Sequence, residues 1–171
     1  MAEYYRLAGV LLAAGESSRF GTPKQIAKIN QQPMLLRSLN LVEKSDVESV
    51  FVALGGNTEL IESVLPEGTN VVRVEHWQYG MGRSIAESVR MIADKGFTHV
   101  LIALSDQVAI ATEAFNRLIA TSEANPDAIV AAKYANTIGA PGIFPKSFFG
   151  ELQELNEDKG ARVLLKQHLD N

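Results

Sequence analysis

The sequence predicts an α/β fold in which a mostly parallel sheet lies between two layers of helices. Short apolar segments bounded by turn residues alternate with segments of helical period over most of the 171 residues. Most of the apolar segments are continuous rather than alternating, which is typical of parallel strands covered on both faces. This alternation of strand and helix predicts a three-layer, doubly wound architecture.

The individual elements follow from the positions of these segments. Strands are predicted at residues 7–13, 47–54, 70–74, 99–104 and 128–132. Helices are predicted at residues 33–43, 58–64, 82–94, 112–122, 146–155 and 159–169. No repeat, low-complexity segment or linker interrupts the chain, so residues 1–171 are expected to form a single domain.

Composition excludes several classes of protein. The net charge of −4 does not favour binding to nucleic acid or to an anionic membrane, so an anionic ligand needs a local positive site. The absence of cysteine excludes disulfides, thiolate metal sites and a cysteine nucleophile, and three scattered histidines argue against a zinc site. No apolar stretch approaches the ~18 residues of a membrane span, and the N-terminal apolar segment indicates a buried strand rather than a leader. The cytoplasm is therefore the expected location.

The loop after the first predicted strand has the composition of a phosphate-binding loop. Gly15 allows a ligand to approach the backbone closely, and its amide with those of Ser17 and Ser18 can form an anion-binding nest. Arg19 and Lys24 add two positive charges in the same loop. A solvated glycine-serine connection is the alternative, but the position after a strand and the paired cations favour phosphate binding.

Two common nucleotide-binding motifs are absent. Lys24 is not followed by Ser or Thr in the G-x-x-x-x-G-K-[ST] spacing, and G-x-G-x-x-G does not occur. The next predicted strand closes with Leu54 and Gly55 rather than with an acidic residue. A P-loop and a dinucleotide-binding motif are both disfavoured.

Asp106 is the candidate metal ligand. It follows an apolar strand with only Ser105 between them, and ligands in open α/β sheets bind beyond the carboxyl ends of the strands. A single carboxylate there suffices for magnesium, which keeps several waters and takes phosphate oxygens. The alternative is a cap for the helix that begins near Thr112, which the intervening distance disfavours.

Other loops offer weaker candidates. Gly82 and Ser84 open a predicted helix and either contact a ligand or simply begin the helix. Gly55 offers a side-chain-free surface for a base, or only a turn. Trp77, near the expected mouth of the site, suits stacking on an acceptor ring, although a partly buried tryptophan is commoner.

The C-terminal region contributes three further candidates. Asp158 begins the last predicted helix, either as a helix cap or as a contact to the second substrate or the metal. Lys159 and Arg162 suit an acceptor phosphate, although exposed cations on a terminal helix are usually only solvated.

Several motifs together resemble one family. Residues 11–15 (LLAAG), 18–21 (SRFG) and Pro23-Lys24 resemble the signature of the MobA-like nucleotidyltransferases, and most of all the molybdenum-cofactor cytidylyltransferase group. Further matches follow in the same order at residues 80–85 (GMGRSI), 104–107 (LSDQ), 139–144 (GAPGIF) and 158–162 (DKGAR). The resemblance covers nearly the whole chain. One departure is Val108, where relatives often have proline.

The resemblance implies a Rossmann-like fold of the nucleotide-diphospho-sugar transferase type and transfer of CMP from CTP to molybdopterin, with magnesium on Asp106. Guanylyl-transferring members tend to have glycine in place of Ala14, which is why CTP is expected. The catalytic residues implied are Arg19, Lys24 and Asp106. The nucleotide-binding residues implied are Ala13, Ala14, Gly15, Ser17, Ser18, Arg19, Lys24, Gly55, Gly82 and Ser84, and the acceptor-binding residues are Asp158, Lys159 and Arg162.

Two alternatives stay open at this point. A sugar-phosphate nucleotidyltransferase has the same fold, although many such enzymes carry added C-terminal elements that this sequence does not show. A non-catalytic protein that binds nucleotide or molybdopterin is the other alternative. Pyrophosphate release in the presence of an acceptor distinguishes an enzyme from a binder.

Overall fold

A six-stranded sheet forms the centre of the computed structural model, which describes residues 4–15, 21–134 and 137–168. Its strands are β1 (Leu7–Leu12), β4 (Ser49–Leu54), β5 (Asn70–Arg73), β6 (His99–Leu104), β7 (Val130–Tyr134) and β8 (Thr137–Pro145). A separate two-stranded ribbon is formed by β2 (Lys28–Ile29) and β3 (Gln32–Pro33). The sheet order is β5-β4-β1-β6-β8-β7. The first four of these strands are parallel, and β8 is antiparallel to both of its neighbours.

Helices cover both faces of this sheet. They are α1 (Met34–Glu43), α2 (Thr58–Glu62), α3 (Met81–Asp94), α4 (Thr112–Ala124), α5 (Phe149–Gln153) and α6 (Arg162–Gln167). None of the helices in the described part of the chain has the length and apolar content needed to cross a bilayer.

Two hydrophobic clusters show the three layers. On one face, α3, α5 and α6 contribute Ile85, Val89, Leu152 and Leu164. On the other face, α1 and α4 contribute Leu35, Leu39, Phe115 and Ile119. Every residue of β1 is buried, because alternate side chains of this strand belong to opposite clusters. The predicted α/β, three-layer, mostly parallel fold is therefore confirmed.

The antiparallel strand β8 was not predicted. Its sequence, TIGAPGIFP, has two glycines and two prolines, which argue against an internal strand. The pairing of β7 with β8 shifts register between Ala131 and Ala132, whose partners are Gly142 and Gly139. Pro141 lies at this irregularity, where no ladder hydrogen bond from its nitrogen is needed. The strand predicted at residues 128–132 lies two residues later in the structure, at β7 (Val130–Tyr134).

The two C-terminal helices are also shorter than predicted. The helix predicted at residues 146–155 is a 3₁₀ turn, Lys146–Phe148, followed by α5. The helix predicted at residues 159–169 begins only at Arg162. Residue 158 consequently lies in a loop and has room to contact another element.

The sheet topology creates a crevice between β1 and β6. The chain passes from β1 to β4 and β5 on one side, and then returns through α3 to β6 on the other side of β1. The loops after β1 and β6 therefore leave the same edge of the sheet next to each other. This arrangement is the topological switch point at which open α/β sheets bind ligands.

Candidate active site

A cavity of about 640 Å³ lies at this switch point. Its walls are the loop after β1, the 3₁₀ helix Lys24–Ile26, the start of α3, the loop after β6 and residue 158. The residues predicted for function that line it are Ala13, Ala14, Gly15, Lys24, Ser84, Asp106 and Asp158. The fold thus brings seven predicted site residues from distant parts of the sequence to one cavity.

The other nucleotide-binding candidates are placed differently. Ser17, Ser18 and Arg19 lie outside the described residues, and their roles stay predictions. Gly55 and Gly82 are not among the residues that line the cavity.

These two glycines allow close approach between parts of the protein itself. A Cβ on Gly55 would lie 2.5 Å from Trp77 Cβ and 2.7 Å from Ala14 O. The Gly82 amide donates a hydrogen bond to Glu157 O at 2.8 Å, and a Cβ there would lie 2.6 Å from the same oxygen. Any contact of Gly55 or Gly82 with a nucleotide remains a prediction.

Asp106 pairs with Lys24 across the cavity. Lys24 Nζ lies 2.9 Å from Asp106 Oδ2, and the two side chains are 51% and 46% exposed. The loop that carries Asp106 is held by Ser38, whose hydroxyl donates to Ser105 O at 2.7 Å. Asp106 therefore faces the loop that follows β1. Helix α4 begins six residues later at Thr112, so the alternative of a helix cap is not supported.

Gln25 is a site residue that the sequence did not reveal. Its side chain is 6% exposed, and its Nε2 donates to Ala13 O at 2.8 Å and to Gly15 O at 2.9 Å. One buried amide thereby holds two carbonyl groups of the loop after β1. The residue type and its position after Lys24 gave no signal of this contact.

Asp158 lies beside the N-terminus of α3 rather than at the start of the last helix. Gly80, which precedes α3, has φ 99° and ψ −179°, a region essentially restricted to glycine. A Cβ on Gly80 would collide with Asp158 Oδ1. A carboxylate near a helix N-terminus is favoured by the helix dipole. The glycine at position 80 is therefore what allows Asp158 to form this part of the cavity wall.

A second cavity of about 350 Å³ adjoins the first. Leu12, Met81, Leu104 and Asp158 line both cavities and form the boundary between them. The remaining acceptor-binding candidates, Lys159 and Arg162, line the second cavity together with the apolar side chains of Ile138, Phe144 and Leu165.

The two cationic side chains of the second cavity are already engaged. Arg162 Nη2 donates to Thr137 Oγ1, and Lys159 Nζ lies 3.7 Å from Glu157 Oε2. Trp77 lines only the first cavity, where its ring covers Gly55 and Gly56. The structure thus separates the predicted nucleotide-binding residues that it describes from Lys159 and Arg162, whose role in acceptor binding stays a prediction.

Comparison with known proteins defines the class. Residues 9–171 match the model of the MobA-like NTP transferase domain. The chain belongs to this family of nucleotidyltransferases, in agreement with the fold and with the position of the cavity.

Several relatives illustrate the family. The crystal structure of Rv0371c from Mycobacterium tuberculosis H37Rv is 30% identical, with a TM-score of 0.83 over 96% of this chain and 84% of that one. A second crystal structure, of Rv0371C in complex with manganese, is 28% identical in sequence to this chain, with a TM-score of 0.77 over 94% of this chain and 82% of that one. The purine catabolism protein PucB of Bacillus subtilis is 26% identical in an alignment 168 residues long, which covers 94% of this chain and 80% of PucB.

A further relative is a larger protein. The bifunctional protein GlmU of Carboxydothermus hydrogenoformans is 24% identical in an alignment 164 residues long, which covers 94% of this chain. The match covers 36% of GlmU, so this chain corresponds to about a third of that protein's length.

Proposed function

We propose that the protein transfers CMP from CTP to a phosphate-bearing acceptor, molybdopterin, and releases pyrophosphate. The observation that carries this proposal is the 2.9 Å contact between Lys24 and Asp106, which brings the loop after β1 and the loop after β6 to opposite sides of one cavity. A polyphosphate requires cations and backbone amides on one side and an anchored divalent cation on the other. The adjoining second cavity offers space for an acceptor next to this site.

The residues of the cavity fit a magnesium ion bound together with nucleotide. Magnesium is usually held by one or two carboxylates, with phosphate oxygens and waters completing its coordination. Asp106 and Asp158 both line the cavity and both are exposed. Among the described residues no group of three acidic or histidine side chains suits a metal, so phosphate oxygens and waters would supply the other ligands. When bound, the ion would offset negative charge on the phosphate oxygens.

The side chains of the protein need not provide a nucleophile. In the proposed reaction an acceptor phosphate oxygen attacks the α-phosphorus, a new P–O bond forms, and the bond to pyrophosphate breaks. The protein aligns the two substrates and offsets the charge that develops on the leaving pyrophosphate. In the structure Lys24 donates to Asp106, and in the proposed complex it donates to a phosphate oxygen instead, because charge-assisted hydrogen bonds to phosphate are strong. Arg19 is expected to act on the same group.

Two features support CTP as the donor and disfavour a sugar phosphate as the acceptor. Ala14 is buried and lines the cavity, so its methyl group reduces the space for a larger purine and favours CTP. Ile138, Phe144 and Leu165 in the second cavity disfavour a sugar acceptor, because sugar hydroxyls would lose hydrogen bonds against apolar walls.

The test measures pyrophosphate release from CTP, GTP or ATP with magnesium and molybdopterin. We expect release with CTP, and a loss of roughly 30- to 1,000-fold in the Asp106→Asn variant, corresponding to ~2–4 kcal/mol of transition-state stabilisation. Asp127→Asn is the matched control, since Asp127 is exposed and does not line the cavity. Nucleotide binding without pyrophosphate release would indicate a non-catalytic binder. Equal activity of the Asp106→Asn and Asp127→Asn variants would refute the role of Asp106 as the magnesium ligand.

A further inference from the structure

We propose that Gln25 is a positioning residue that orients the loop after β1 so that the Ala14 N–H can bind the nucleotide. This inference rests on the proposed function, since it concerns how the same cavity receives an NTP. Gln25 itself is nearly buried, so its role is exerted through the backbone that it holds.

Two hydrogen bonds join the Gln25 side chain to this loop. A primary amide has two N–H donors, and Nε2 reaches the carbonyl oxygens of both Ala13 and Gly15 at 2.8 and 2.9 Å. Gln25 lies in the 3₁₀ helix Lys24–Ile26, whose Lys24 pairs with Asp106. The same short turn therefore contacts both loops that border the cavity.

Fixing a carbonyl also fixes the next amide. The peptide unit is planar and trans, so the Ala13 C=O and the Ala14 N–H point in opposite directions. Because Ala13 O is directed at Gln25, the Ala14 N–H is directed away from Gln25. The Ala14 N–H donates no backbone hydrogen bond to any residue in the ranges 4–15, 21–134 and 137–168. Ala14 is 4% exposed and lines the cavity, so a nucleotide bound there can accept a hydrogen bond from this donor.

The experiment compares Gln25→Met with the wild-type protein and with Ser45→Ala. Methionine matches the length of glutamine but cannot donate to the two carbonyls. Ser45 is a matched control, because its buried hydroxyl donates to Val42 O at 2.6 Å and does not line the cavity. The measurements are the calorimetric affinity for CTP with magnesium, the steady-state KM and kcat, the Tm, and the ¹⁵N–¹H signal of Ala14.

A positioning role predicts a specific combination of results. In Gln25→Met the Kd and KM for CTP rise about tenfold while kcat stays within about twofold, because a contact kept from ground state to transition state is lost. The Ala14 signal shifts on CTP binding in the wild type and shifts less in Gln25→Met. Ser45→Ala lowers the Tm but leaves the CTP affinity and the Ala14 shift unchanged.

Other outcomes distinguish the two proposals. Wild-type CTP affinity and an unchanged Ala14 shift in Gln25→Met would overturn the role of Gln25 while leaving the proposed function intact. A variant that fails to fold is replaced by Gln25→Asn, whose shorter side chain cannot reach both carbonyls, and the same criteria apply. Failure of the wild-type protein to bind any NTP would overturn the proposed function itself, and the nucleotide-positioning role of Gln25 with it.

Discussion

The substitution Gly80→Ala tests the wall of the cavity formed by Asp158. The backbone at Gly80 has φ 99° and ψ −179°, and forcing another residue into this region costs about 1–3 kcal/mol. The new Cβ would also collide with Asp158 Oδ1 and lie 3.0 Å from Asp158 N and 3.1 Å from its Cα. Because two of these atoms are backbone, the loop must move, and overpacking of this kind costs about 1–3 kcal/mol.

The two contributions together give about 2–6 kcal/mol of lost stability. Gly68→Ala is the matched control, because Gly68 has φ 83° but a Cβ there would meet no described atom within 4 Å. Its expected cost is the backbone term alone, about 1–2 kcal/mol. For a chain of this size each kcal/mol lowers the Tm by about 2–4 °C.

The assay combines thermal unfolding with steady-state kinetics of both glycine variants. Gly80→Ala should lower the Tm more than Gly68→Ala and should reduce kcat/KM for the acceptor by about tenfold or more, since Asp158 is displaced from the cavity. Equal Tm losses and unchanged acceptor kinetics in the two variants would refute the assignment of Gly80 and Asp158.

Three further predictions concern the loop after β1, the Lys24 side chain and the Arg6–Glu48 ion pair. Gly15→Ala should keep the wild-type Tm, because its Cβ would meet no described atom within 4 Å, but should weaken CTP binding in a calorimetric titration; unchanged affinity would contradict a nucleotide at Gly15. Lys24→Met should raise the Kd for CTP by about 10- to 150-fold, the value of a lost charged hydrogen bond, while Lys28→Met on β2 should stay near the wild type. Hydrogen bonds from Arg6 hold the pKa of Glu48 below its ordinary 4.5, so this stabilisation is complete above about pH 4.5 and is lost as the pH falls through the folded pKa. Glu48→Gln should therefore reduce the fall in the free energy of unfolding at acid pH, measured by urea unfolding. An unchanged pH dependence would show that the Arg6–Glu48 pair does not contribute to stability.

The parallel part of the fold was predictable because its signals are local. Strands β1, β4 and β6 are continuous apolar runs, and parallel strands direct their following loops to one edge. This rule predicted that the loop of Lys24 and the loop of Asp106 lie at one edge of the sheet, whereas the direct contact between the two side chains was not predicted. Strand β8 was missed because its glycines and prolines have a structural role only in the context of its partner β7.

The rest of the site depends on contacts between distant segments. A glycine signals that something approaches closely, but the sequence does not show whether a ligand or another part of the protein does so. At Gly55 the close neighbour is Trp77, and at Gly82 it is Glu157. The buried contacts of Gln25 are likewise tertiary, since the side chain reaches back ten and twelve residues to the end of β1.

The segment that carries Asp158 and Lys159 is not part of the sheet. It is attached through the hydrogen bond from Gly82 N to Glu157 O and through the packing of α5 against α3. On the proposed assignment, the donor nucleotide is held by a loop that continues the central strand β1, whereas the acceptor is held by a segment attached to the outside of the sheet. Exchange of Lys159 and the residues after it can then redirect the enzyme to a new acceptor while Asp158 and the loop after β1 stay intact, which makes this segment the natural target for evolution or engineering of acceptor choice.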